Sequence, residues 1–154
     1  MIKLKLQQYN IKDKNYFEKI NTEDKAYFLG LIYADGSLND KLQTLQINLV
    51  ESDSYILQNL VDKIYNNREL RTIKPKQSTH QVQKQITVTN KKLYEDLKNY
   101  GLTQNKSYNG DWIKIDLIPK NLLHHFIRGY FDGDGCIYVN KKTKQRFVNI
   151  TGTK

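Results

Sequence analysis

The sequence predicts an α+β fold, and two patterns predict it. Helical spacing of apolar residues trades places with strict apolar–polar alternation along the chain, in the order helix, strands, helix, strands, helix. The order then begins again with a helix and two more strands, so the chain carries an internal repeat. Its composition supports a folded core: 38 % of the 154 residues are apolar and 27 % charged, within the globular range and outside the disordered one.

The first helix is expected over residues 21–34, with Asn21 or Thr22 as cap, Glu23 and Asp24 in its first turn and Gly36 at its end. Residues 42–50 alternate, Leu45, Ile47 and Leu49 against Thr44, Gln46 and Asn48, which predicts a strand with one apolar face and one amide and hydroxyl face. Helical spacing returns over 53–65. A strand over 70–76 is shortened or pushed to an edge by Pro75. Residues 81–89 alternate again, with Val82, Ile86 and Val88 opposing Gln81, Gln83, Gln85, Thr87 and Thr89. A helix over 90–100 ends at Gly101, residues 112–118 read as a short extended segment, and Pro119 opens a helix reaching Phe131. Beyond Gly135, residues 137–139 and 147–150 read as a hairpin across a lysine-rich turn.

Charge and cysteine content narrow the function. The net charge is +9, and both parts of the chain are basic: residues 1–123 carry 19 basic and 14 acidic side chains, residues 124–154 carry 6 and 2. Basicity spread over a folded surface favours a polyanionic partner such as DNA or RNA. Cys136 is the single cysteine, which excludes an intrachain disulfide and a cysteine zinc cluster, and His80, His124 and His125 lack a partner set for a metal. No apolar stretch is long enough to span a membrane, and Met1–Gln8 is too short for a signal sequence. The expected compartment is intracellular and reducing: a bacterial or phage cytoplasm, or an organelle.

The repeat aligns YFLGLIYADGSL (27–38) with FIRGYFDGDGCI (126–137) at an offset of 99 residues, placing Gly30 on Gly129, Asp35 on Asp134 and Gly36 on Gly135. Ala26, Gly30 and Ala34 share one side of the first helix, and Gly129 and Gly133 one side of the second. Small residues four apart let two helix backbones approach closely. Two ordinary core helices would show the same small faces, but not the acids. Asp35 and Asp134 sit at helix C-termini, where the macrodipole disfavours a carboxylate, and bringing them together adds like-charge repulsion. A divalent cation removes both penalties by accepting hard oxygen ligands, and phosphate and water complete the shell of Mg²⁺. Such a pair suits metal-assisted phosphodiester hydrolysis.

FLGLIYADG (28–36) and IRGYFDGDG (127–135) resemble the two motifs of LAGLIDADG homing endonucleases, in the double-motif form of single-chain intron-encoded enzymes and inteins. GLTQNKS (101–107) and IPKNLLHHFIRGYFDGDG (118–135) resemble that family's linker regions, so the resemblance covers the whole chain. It implies a saddle-shaped α+β fold: an αββαββα unit, with the motif helices packed at a pseudo-two-fold interface. The strands would lie in the DNA major groove, and cleavage across the minor groove would leave short 3′ overhangs. Residues 1–118 correspond to the first unit. Residues 119–154 correspond to the motif helix and opening hairpin of a second, incomplete one, since only 20 residues follow Asp134.

Carried over by position, the resemblance implies a metal set of Asp35 and Asp134 with Gly36 and Gly135, binding Mg²⁺ or Mn²⁺. The motif's earlier acid matches Asp132 in the second copy, whereas the first copy has Tyr33. The family often places a lysine near each metal site. Lys84 is the candidate because its parity puts a cation on an apolar face, although a structural lysine snorkelling from that face would look the same. The candidate catalytic set is therefore Asp35, Asp134 and Lys84. Thr44, Gln46, Asn48, Gln83, Gln85 and Thr87 are candidates for reading base edges, and Lys41, Arg71, Lys74 and Lys76 for phosphate or groove contacts. An ordinary solvent face is the alternative for any one of them.

The expected function is site-specific cleavage of double-stranded DNA. The alternatives are a non-cleaving nucleic-acid-binding module, such as an RNA-splicing maturase or a regulator on the same fold, and a non-catalytic fragment completed by a partner chain. A homodimer or a missing C-terminal half would complete the saddle.

Overall fold

The computed structural model describes residues 10–75, 77, 81–104 and 113–150. Tyr9, Lys76, His80, Trp112 and residues 105–107 of the GLTQNKS segment lie outside the described residues.

Helix α1 spans Glu23–Asp35 and is capped by Thr22, whose hydroxyl accepts from the Lys25 amide. Ala26 and the run from Phe28 to Ile32 are buried, as expected of a helix covered on both sides. The helix runs directly into β1 (Gly36–Asn39), a four-residue strand absent from the sequence expectation. Strand β2 (Thr44–Val50) follows, then a single 3₁₀ turn and α2 (Ser54–Ile64). Strands β3 (Arg71–Ile73) and β4 (Gln83–Thr89) precede α3 (Lys91–Asn99), whose cap is the Asn90 side chain. This is the αββαββα order that the family resemblance implies; the alternation pattern alone shows one strand fewer.

The four strands form one antiparallel sheet in the order β1-β2-β4-β3. Ile47 pairs with Ile86 and Leu45 with Val88, so their side chains fall on one face, and all four are buried where α1, α2 and α3 pack. Leu57, Leu60 and Val61 of α2 and Leu93 and Leu97 of α3 complete that core. Truncating one of these leucines to alanine would cost about 2–5 kcal/mol. Tyr16, Tyr65, Tyr94 and Tyr100 lie in the same core, each under a tenth exposed.

Two expectations change. The segment before Pro119 is not extended: Ile115–Leu117 forms a 3₁₀ turn, and Ile115 and Leu117 are exposed. Its alternation of Ile113, Ile115 and Leu117 imitates a strand, but no neighbouring strand pairs with it among the described residues. Pro119 does not begin the next helix either. It precedes a second 3₁₀ turn (Lys120–Leu122), and α4 runs over Leu123–Asp134. A separate hairpin follows, β5 (Gly135–Val139) with β6 (Arg146–Ile150). No helix of the described residues is long and apolar enough to cross a membrane.

Candidate metal centre and nucleic-acid interface

Helices α1 and α4 make the most extensive contact between helices in the described structure. The approach is at backbone distance. A Cβ on Gly30 would fall on the Phe126 carbonyl oxygen and lie 2.8 Å from the Tyr130 nitrogen. A Cβ on Gly129 would fall on the Tyr27 carbonyl oxygen and lie 3.0 Å from the Leu31 nitrogen. Ala26 and Gly30 are buried, and Gly133 fits against Ala34. Gly30, Ala34, Gly129 and Gly133 of the small-residue faces thus lie at the contact.

The crossing brings the two acids to one end. Asp35 and Asp134 are the last residues of α1 and α4. A Cβ on Gly133 would stand 2.7 Å from Asp35 Oδ2, so the Asp35 carboxylate lies over the residue next to Asp134. Gly36 and Gly135 occupy the helix-to-strand junctions, each extended, each donating its N–H back to its helix, to Ile32 and Phe131 respectively. Neither junction uses a left-handed glycine; space against the preceding turn is what excludes a side chain there.

Around this end, Tyr27 Oη donates to Asp132 Oδ2 at 2.8 Å, with Arg128 over the Tyr27 ring. Burial, reinforced by the Asp132 carboxylate, pushes the Tyr27 hydroxyl well above the usual tyrosine range. Tyr33, which replaces the motif's earlier acid in the first copy, packs edge-on against Tyr130 with ring centroids 5.3 Å apart. Burial first, and then the nearby Asp134 carboxylate, raises the Tyr130 hydroxyl.

Among the described residues no group of three or more His, Cys, Asp or Glu forms a protein-only metal cage. The candidate donors, two carboxylates at adjoining helix ends, would suit a hard cation that takes its remaining oxygens from phosphate and water.

The sheet's other face carries the proposed base-reading residues. The register sets Gln46 beside Thr87, Asn48 beside Gln85 and Thr44 beside Thr89, so all share one face. Gln83 and Arg71 join them through β4 and β3. Gln85 Nε2 donates to Asn48 Oδ1 at 2.9 Å. Lys41 and Lys74 are exposed at the sheet's margins. Thr44 is only 7 % exposed and forms the floor of a hollow rather than a projecting contact. Ser37 and Asn39 of β1 belong to the same face and were missed, because a strand of four residues, GSLN, shows too little alternation to be seen.

Lys84 lies on the opposite, helix-covered face, as its parity requires. Its ammonium donates to Thr72 Oγ1 at 2.8 Å and pairs with Glu51 at 3.2 Å. These are its polar partners among the described residues, and neither is one of the paired acids.

Residues 121–154, spanning α4 and the β5–β6 hairpin, match the sequence model of the LAGLIDADG-like domain. That stretch is similar to the LAGLIDADG family. No curated protein sequence matches the chain. The matched stretch holds the second LAGLIDADG motif, and the first is its repeat, crossed against it through Gly30 and Gly129. LAGLIDADG proteins are mostly nucleases that bind DNA, with maturases among them, and the endonucleases generally use divalent metals.

Proposed function

We propose that this protein is a LAGLIDADG-type, site-specific, metal-dependent DNA endonuclease of the homing type, using Mg²⁺ or Mn²⁺. The observation that carries the reading is the Asp35 carboxylate seated over Gly133, beside Asp134, where two glycine-faced helices cross. Structural caps do not require acids here: a carboxylate at a helix C-terminus opposes the dipole, and a second one nearby repels it. A cation held by Asp35 and Asp134 would supply positive charge to the scissile phosphate and lower the pKa of an attacking water. The sheet face of Gln46, Asn48, Gln83 and Gln85 would orient the duplex, and Lys41 and Lys74 would hold its phosphates.

The test is cleavage of supercoiled plasmid carrying the joined genomic flanks of the coding sequence, with Mg²⁺ or Mn²⁺. Linearisation by the wild-type chain, and its loss in Asp35→Asn and Asp134→Asn proteins that still fold and bind, is the expected result. Full linearisation by Asp35→Asn would show that the wrong ligand is assigned. Tight binding of structured RNA without plasmid cleavage would favour the maturase alternative.

A further inference from the structure

The reading face carries an uneven chemistry. Arg71, on the edge strand β3, is the one charged side chain among the described strand positions of that face. The remaining polar positions are amides and hydroxyls. In the major groove guanine presents two acceptors and is read best by the paired donors of Arg or Lys. Cytosine presents a donor and is read by Asp or Glu. Adenine presents one donor beside one acceptor, which a carboxamide matches, and thymine presents a methyl group. Away from its β3 edge the face lacks the side chains that read G·C and holds those that read A·T.

Two arrangements sharpen this. The Asn48–Gln85 hydrogen bond fixes two carboxamides side by side while leaving the Gln85 oxygen and further N–H groups unspent. An amide oxygen held there accepts from adenine N6 but opposes guanine O6. At the other end of the strands lies an open hollow of about 390 Å³, floored by Thr44 and bordered by Leu42, Thr87 and Thr89. Leu42 is 62 % exposed on the β1–β2 turn, and apolar contact with Leu42 and threonine methyls suits the thymine methyl. The hollow is held open from outside: the Tyr94 hydroxyl donates to Asp40 of that turn, and Gln104 Oε1 accepts from the Asp40 amide at 2.8 Å.

We infer that the half-site read by β1, β2 and β4 is A·T-rich, with adenine opposite the Asn48–Gln85 pair and thymine methyls in the Leu42–Thr44 hollow. This rests on the reading of the sheet as a DNA-binding face. Binding selection from a duplex library with a randomised window tests it. The full chain should enrich consecutive A·T pairs, and Gln85→Ala should relax one position only. Replacing thymine by deoxyuridine in the selected duplex removes only the methyls. That change should weaken binding about three- to fivefold for each buried methyl, and the penalty should shrink in Leu42→Ser, a change at an exposed site that the fold tolerates. G·C-rich winners, or deoxyuridine duplexes bound as tightly as thymidine ones, would overturn this inference and leave the endonuclease reading standing. Failure to retain any duplex would overturn both.

Discussion

Gly30 and Gly129 face each other's helices reciprocally: the absent Cβ of each points at the carbonyl oxygen one turn earlier on the other helix, Phe126 for Gly30 and Tyr27 for Gly129. Tyr27 and Phe126 are themselves equivalent positions of the repeat, so the contact obeys the local two-fold relation in the sequence. One methyl on either glycine would have to displace backbone.

Gly30→Ala and Gly129→Ala should therefore each destabilise the fold by about 3 kcal/mol or more, the upper end of overpacking costs. The double variant should cost less than the sum, because one separation of the helices relieves both clashes. Urea melts of the three variants check this. Single variants within 1 kcal/mol of wild type would mean that the helices do not cross at these residues.

Alkaline pH should weaken the protein. Tyr27 and Tyr16 both have hydroxyls raised by burial, with Asp132 adding to the first and Asp24 and Asp13 to the second. For a group whose folded pKa is raised, the stabilisation is complete below the unfolded value, near 10 for tyrosine. It declines as pH rises from there toward the folded value. Melting temperature should thus fall steeply between about pH 10 and 12. Tyr27→Phe should lose part of that slope while being less stable at pH 7, where its hydrogen bond to Asp132 is missing.

Lys41 and Lys74 stand exposed beside the reading face. If they meet phosphates, Lys41→Gln and Lys74→Gln should each weaken binding to all duplexes alike and reduce the slope of log affinity against log salt by about 1. Titrations at several salt concentrations measure it, and an unchanged slope in the double variant would place both lysines off the DNA.

Gln43 closes the turn between β1 and β2 with φ 49°, a left-handed backbone that disfavours L side chains. Gln43→Gly should be neutral or stabilise by up to about 1 kcal/mol, whereas Gln43→Val should cost about 1–2 kcal/mol. Thermal melts of the pair separate backbone strain from any contact the glutamine makes with DNA, which a binding assay reads.

The helix crossing and the core were legible because they depend on composition at fixed intervals. Glycines at 30 and 129 and acids at 35 and 134 repeat at one offset, and the alternation of Leu45, Ile47 and of Ile86, Val88 sets which face is buried. What escaped depends on the other end of the contact. Tyr27 announces nothing until Asp132, 105 residues away, is brought to it. The cation of Lys84 has an address, the apolar face, readable from parity, but its Glu51 and Thr72 partners are not. Residues 113–117 alternate as a strand does, yet Ile115–Leu117 forms a 3₁₀ turn, because alternation without a pairing edge specifies no sheet.

The two halves of the helix pair are symmetric in backbone and unlike in side chains. Tyr27 meets Asp132 by a hydrogen bond, while at the equivalent pair Phe126 and Tyr33 meet only as rings, 6.2 Å apart. A pair made from two copies of α1 would set hydroxyl against ring twice and leave both tyrosines without a carboxylate. Two copies of α4 would set a carboxylate against phenylalanine twice. Of these pairings the mixed one alone gives the Tyr27 hydroxyl its carboxylate, so the divergence of the repeats would favour each motif helix meeting its unlike sibling over a duplicate of itself.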